Sequence, residues 1–155
     1  MSGEESRSRR EQIVARLYNE GWARADFDVV FELLDPGVVW TAIEGAPDAG
    51  TYRGFEGVRR YMQDWLDDFD FEGGGCSIEE SIAAGDRLVC AQRATATGKG
   101  SEVPSELRYA CVYTFGADER ILEVNEYATR EEALEAASRS SAPTPNETVA
   151  RPSGR

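Results

Sequence analysis

The chain contains no histidine. Ser-His-Asp and Cys-His nucleophile systems are therefore excluded, and so is the commonest metal ligand. Acid–base chemistry falls to carboxylates, tyrosines, lysine or cysteine. Several charged residues stand inside strand-like runs, Arg93 and Glu126 among them. A charge within a packed layer is expensive unless it is paired, so strand register decides which of them are candidates for a site. Large rings are concentrated earlier, at Trp22, Trp40, Tyr61 and Trp65, with Met62 among them. They read first as core, and at the mouth of a cavity they would stack on a flat or polycyclic ligand.

Other groups carry less chemistry. Asp67, Asp68 and Asp70 have no converging partners and read as a solvated helix end, so no metal is expected. Gly98-Lys99-Gly100-Ser101 lacks the strand–loop–helix setting and full spacing of a phosphate loop and reads as a hairpin turn. Cys76, Cys90 and Cys111 are odd in number, without ligand-like spacing, and suit a reducing cytoplasm. The formal charge of −12 argues against nucleic-acid and membrane-surface partners. No apolar run approaches the ~20 residues of a membrane-spanning helix, and MSGEESRSRREQ lacks the apolar core of a signal peptide. The expectation is a cytoplasmic protein.

A length of 155 residues suits one domain. Ile13, Leu17, Tyr18 and Trp22 recur at helical spacing and predict a helix from Arg9 to Arg24, after a frayed segment 1–8. Asp26 caps a second helix with the stripe Phe27, Val30, Phe31, Leu34, which Asp35-Pro36-Gly37 ends. Val38–Ile43 reads as a short strand. Val58, Tyr61, Met62, Trp65 and Phe69 line one face of a third helix, and Gly73-Gly74-Gly75 reads as a breaker and loop. An antiparallel meander follows over 77–84, 87–97, 102–115 and 120–128, with a turn at Gly85-Asp86 and Pro104 at a bulge or edge. Thr129 and Glu132 form a capping box for a last helix to Ala137. From Ser138 on, the Ser/Pro/Thr/Arg composition reads as a disordered tail.

This order of elements, together with Ala25-Asp26-Phe27-Asp28, Leu34-Asp35-Pro36, Tyr52-Arg53-Gly54-Phe55-Glu56-Gly57-Val58, Ala84-Gly85-Asp86-Arg87 and Arg130-Glu131-Glu132-Ala133-Leu134, resembles the SnoaL-like proteins of the nuclear-transport-factor-2-like (NTF2-like) superfamily. The resemblance covers about Arg9 to Ala137. It implies an α+β cone, with three N-terminal helices in a strongly curved, mostly antiparallel sheet, a short C-terminal helix and a pocket at the wide end. It also implies a homodimer through the outer sheet face. Polyketide cyclases, ketosteroid isomerases and proteins of no known activity share this fold, so fold leaves function open.

Alignment to the ketosteroid-isomerase pattern places Tyr18 at the oxyanion-hole tyrosine. It puts Ala42 at the base and Cys111 at the protonated acid, so isomerisation by that route is not expected. The register so set turns Ala91, Arg93 and Thr95 inward, with Tyr109, Cys111, Tyr113, Val124 and Glu126. Arg93 and Glu126 then form an ion pair beside the pocket, Glu126 exchanging a proton and Arg93 clamping an anion, with Tyr18 or Tyr113 stabilising an enolate. A register one residue out would put the pair in solvent instead. Trp22, Trp40, Tyr61, Met62, Trp65, Tyr109, Cys111 and Tyr113 would bind the substrate. Two functions remain open: a cofactor-free isomerase or cyclase acting on a hydrophobic molecule, and a non-catalytic ligand-binding or dimerisation module.

Overall fold

The computed structural model describes residues 3–43 and 49–139, with residues 72–74 described by their backbone alone. Helix α1 spans Gly3–Arg16 and runs on through a π turn, Leu17–Gly21, and a 3-10 turn, Trp22–Arg24. Its start lies ahead of the expected Arg9. Residues 3–8, expected to fray, are helical, because Arg7 donates to Ser81 Oγ at 2.6 Å and to Glu11 at 3.0 Å. The sequence signal was weak because Gly3–Arg16 buries only Val14 and has no apolar stripe.

The π turn brings Gly21 against the second helix, α2 (Phe27–Leu33). A Cβ at Gly21 would lie 2.7 Å from Val30 Cγ2, so only glycine lets the two segments close. Asp26 caps α2 by accepting from the Val29 N–H, as the sequence indicated. Strand β1 (Leu34–Thr41) starts directly after α2 and contains Pro36 and Gly37, where the ladder to its neighbour shifts register. Strand β2 (Thr51–Arg53) pairs with β1, and α3 (Gly54–Asp68) buries Val58, Tyr61 and Met62.

Strands β3 (Phe69–Ala84), β4 (Arg87–Gly98), β5 (Pro104–Phe115) and β6 (Ile121–Tyr127) form the meander. The six-stranded sheet has the order β2-β1-β6-β5-β4-β3, antiparallel except for β1–β6. Pro104 opens β5, where its missing N–H breaks no ladder. Gly73–Gly75 is not a loop, since β3 runs through it with a register shift before Gly75. The clamp lies in the preceding helix: the Asn19 side chain donates to Cys76 O and accepts from Cys76 N, both at 2.9 Å. A Cβ on Gly75 would sit 2.5 Å from Asn19 Oδ1, so the glycine admits the clamp.

Helix α4 (Arg130–Arg139) begins with the capping box that Thr129 and Glu132 predict. Ala133, Ala137 and Leu134 cover Val89, Ala110 and Val112 on the outer face of the sheet. The inner face, the first three helices and the aromatic residues make the main core. The tail from 140 onward lies outside the described residues. No helix among the described residues is long and apolar enough to cross a membrane.

Candidate functional site

The concave face of the sheet does not close completely on the helices. It leaves a cavity of about 450 Å³. The end of the first helical segment contributes Tyr18 and Trp22, α3 contributes Tyr61 and Trp65, and the start of β3 contributes Phe69 and Phe71. The sheet supplies Ala94 and Ala96 from β4, Leu107 and Tyr109 from β5, and Glu126 from β6. The rings touch one another, Trp22 with Tyr61 at 5.8 Å between centroids, Trp22 with Phe71 at 6.2 Å and Trp65 with Phe69 at 5.2 Å.

Glu126 is held from two sides. Trp40 Nε1 donates to Oε2 at 2.8 Å, and the Tyr61 hydroxyl lies 2.9 Å from both oxygens. An N–H and an O–H aimed at one carboxyl group suit the ionised form, which only accepts. Beside it runs a second polar chain. Tyr113 donates to Gln92 Oε1, so the 2.7 Å contact between the Tyr18 and Tyr113 hydroxyls takes its proton from Tyr18. Gln92 Nε2 in turn donates to Tyr109 Oη at 3.1 Å and approaches Cys76 Sγ at 3.2 Å.

Burial pushes the hydroxyls of Tyr18, Tyr109 and Tyr113 well above the usual tyrosine range. The Glu126 charge adds to the rise at Tyr18 and Tyr109. The phenols are therefore neutral at physiological pH. Burial also raises the Cys76 thiol to about 11 and the Cys111 thiol well above its usual value, so neither supplies a thiolate nucleophile. Among the described residues, no group of three or more His, Cys, Asp and Glu side chains could hold a metal ion. Asp67, Asp68 and Asp70 are exposed.

The structure brings together some of the residues singled out from sequence and separates others. Tyr18, Glu126, Trp22, Tyr61, Trp65 and Tyr109 line the cavity. Trp40, Met62, Cys111 and Tyr113 are fully buried in the core and do not line the cavity. Trp40 thereby becomes the donor that orients Glu126. The enolate-stabilising part foreseen for Tyr18 does not fit a proton already given to Tyr113.

Arg93 is the main correction. It pairs across the ladder with Ser77 and Arg108, on the opposite face of the sheet from Glu126, and its guanidinium lies 3.6 Å from Glu106. The inward row of β4 is Leu88, Cys90, Gln92, Ala94, Ala96, one residue out of the expected register. The foreseen ion pair does not form. Sequence reasoning missed Gln92, which is only 1% exposed, and the wall residues Phe69 and Phe71. A glutamine two residues from Cys90 in the correct row was the available signal.

A sequence model of the SnoaL-like domain matches residues 14–124. No curated protein matches the chain significantly. Solved structures do. An NTF2-like protein from Burkholderia thailandensis is 25% identical, with 83% of this chain and 96% of that chain covered and a TM-score of 0.61. A protein from Jannaschia sp. CCS1, described provisionally as a SnoaL-like polyketide cyclase, is 20% identical, covering 89% and 95%, with a TM-score of 0.64. An NTF2-like protein of unknown function from Burkholderia pseudomallei is 21% identical, covering 81% and 95%, with a TM-score of 0.62.

Proposed function

The chain belongs to the SnoaL-like domain family, and from that premise we propose that it binds a hydrophobic small molecule in the cone and exchanges a proton with it through Glu126. One observation carries this reading: a carboxylate oriented by Trp40 and Tyr61 forms part of the wall of a largely aromatic and aliphatic cavity. A proton-transfer group in a water-poor, apolar pocket is what isomerase and cyclase chemistry without a cofactor requires. The rings of Trp22, Trp65, Phe69 and Phe71 supply flat surfaces for an aromatic or polycyclic substrate.

A second reading, a binding module without turnover, is favoured by a different observation. Tyr18 gives its proton to Tyr113, and Arg93 lies across the sheet, so neither supports an enolate. Hydrogen–deuterium exchange at the acidic carbon of 2-tetralone, a bicyclic enolisable ketone, separates the two. The enzyme reading expects exchange above the buffer rate that Glu126→Gln lowers by about 100-fold or more. Binding of the ketone without any acceleration leaves the module.

A further inference from the structure

One buried donor lacks an acceptor. Trp22 Nε1 makes no hydrogen bond, and it is the single buried side-chain nitrogen or oxygen in that condition among the described residues. The indole is 8% exposed, and its ring forms part of the cavity wall. A buried indole N–H ordinarily finds a partner, and leaving the bond unmade costs free energy that a phenyl ring would not. Its surroundings are aromatic: Tyr18 stacked at 5.7 Å between centroids, Tyr61 at 5.8 Å, Trp40 edge-on at 5.9 Å and Phe71 at 6.2 Å. Ring faces receive an N–H only weakly.

The other side-chain donors of the wall are placed differently. Tyr61 gives its proton to Glu126, and Tyr18 gives its proton to Tyr113. The Tyr109 hydroxyl receives Gln92 Nε2 and has Tyr18 and Cys76 as further hydrogen-bonding neighbours. Ser105 is exposed, and Trp65 is half-buried. Trp22 also packs on both residues that hold Glu126, Trp40 and Tyr61, which puts it and the carboxylate on one stretch of wall.

We infer that Trp22 Nε1 anchors the ligand through a carbonyl oxygen, the acceptor that the wall itself does not supply to this nitrogen. The inference rests on the reading of the cone as the ligand site. Under the proton-transfer reading the same N–H receives the oxygen on which charge develops, the part that Tyr18 does not fill. Because the nitrogen is buried, the acceptor enters as one of the surrounding rings gives way. Phe71 is the ring placed to do so: it is half-buried, its contact with Trp22 is the longest of the four, and residues 71–74 of β3 stand opposite Ala96 alone, where the ladder holds them least.

The test uses benzophenone, which has no acidic hydrogen beside its carbonyl and so reports anchoring apart from proton transfer. Its control is diphenylmethane, with the same two rings and CH2 in place of the carbonyl. Both are titrated into the wild-type protein, with the indole N–H resonances of Trp22, Trp40 and Trp65 assigned through bonds. Benzophenone is expected to move the Trp22 indole proton downfield, and diphenylmethane to bind without that shift. Trp22→Phe is expected to weaken benzophenone about ten-fold relative to diphenylmethane. A Trp22 proton that moves alike with both probes, or a ratio of affinities that Trp22→Phe leaves within about two-fold, overturns the anchor and leaves the cone as the ligand site. Failure of both probes to perturb any indole resonance overturns the anchor and the reading of the cone together. The wild-type comparison needs no substitution, so it decides the matter even where Trp22→Phe does not fold.

Discussion

Two adjacent residues on β4 show how much hangs on register. Gln92 faces inward, where its amide receives Tyr113 and serves Tyr109, while Arg93 faces outward and is about a third exposed. Removing the amide takes the acceptor from the Tyr113 hydroxyl and a donor from the Tyr109 hydroxyl, a cost of about 1–3 kcal/mol per group. Gln92→Leu is therefore expected to destabilise by about 2–3 kcal/mol in urea unfolding, and Arg93→Gln by less than about 1 kcal/mol. The reverse order would restore the register first read from the sequence. That register was misread for a physical reason. Leu88, Val89, Cys90 and Ala91 are apolar on both rows because α4 covers the outer face, so the strand does not alternate where alternation was needed. The inward rows of β5 and β6 were legible, because Tyr109, Cys111 and Tyr113 alternate with smaller or polar neighbours and Glu126 follows Val124 in phase.

At the scale of elements, the caps and turns were the best guides. Asp26, Thr129 with Glu132, and Gly85-Asp86 each do what their residue types predict. What the sequence could not display were contacts between distant elements. Asn19 pairs with the Cys76 backbone, and Arg10 on α1 donates to Glu119 in the β5–β6 turn through Nε and Nη2, both at 3.0 Å. Hydrogen bonding to Arg10 holds the Glu119 carboxyl below its ordinary range of 4.5. The unfolded chain then binds the proton more readily than the folded one. The stabilisation is present above the ordinary carboxylate pKa and is lost as pH falls through the lowered folded value. Glu119→Gln is expected to cost about 1 kcal/mol at pH 7, with the difference from wild type shrinking toward zero as pH falls through the lowered folded value. A gap that is unchanged in acid would remove the ionic contribution of this clamp.

At the scale of the whole molecule, the cone was legible and its contents were only partly so. Helix order, a long meander and the Tyr52–Val58 phrase carry the fold, because they depend on local periodicity and turn chemistry. The cavity depends on which large side chains stop short of filling it. Trp40 and Met62 pack behind the wall while Trp22 and Trp65 remain at it, a distinction set by tertiary packing that residue type does not reveal. The separation also explains why aromatic content alone overstated the number of cavity-lining residues.

The central claim is that the space beside Glu126 receives a ligand. Ala94 lies on the sheet wall of that space, so Ala94→Phe projects a ring into the cavity while leaving Glu126 and its two donors in place. Titration with the neutral fluorophore N-phenyl-1-naphthylamine, read by energy transfer from the tryptophans, tests it most directly. The account predicts saturable binding to the wild type and an affinity at least about ten-fold weaker in Ala94→Phe, with melting temperatures within about 3 °C of each other. Equal binding to both proteins would place the ligand elsewhere and contradict the account.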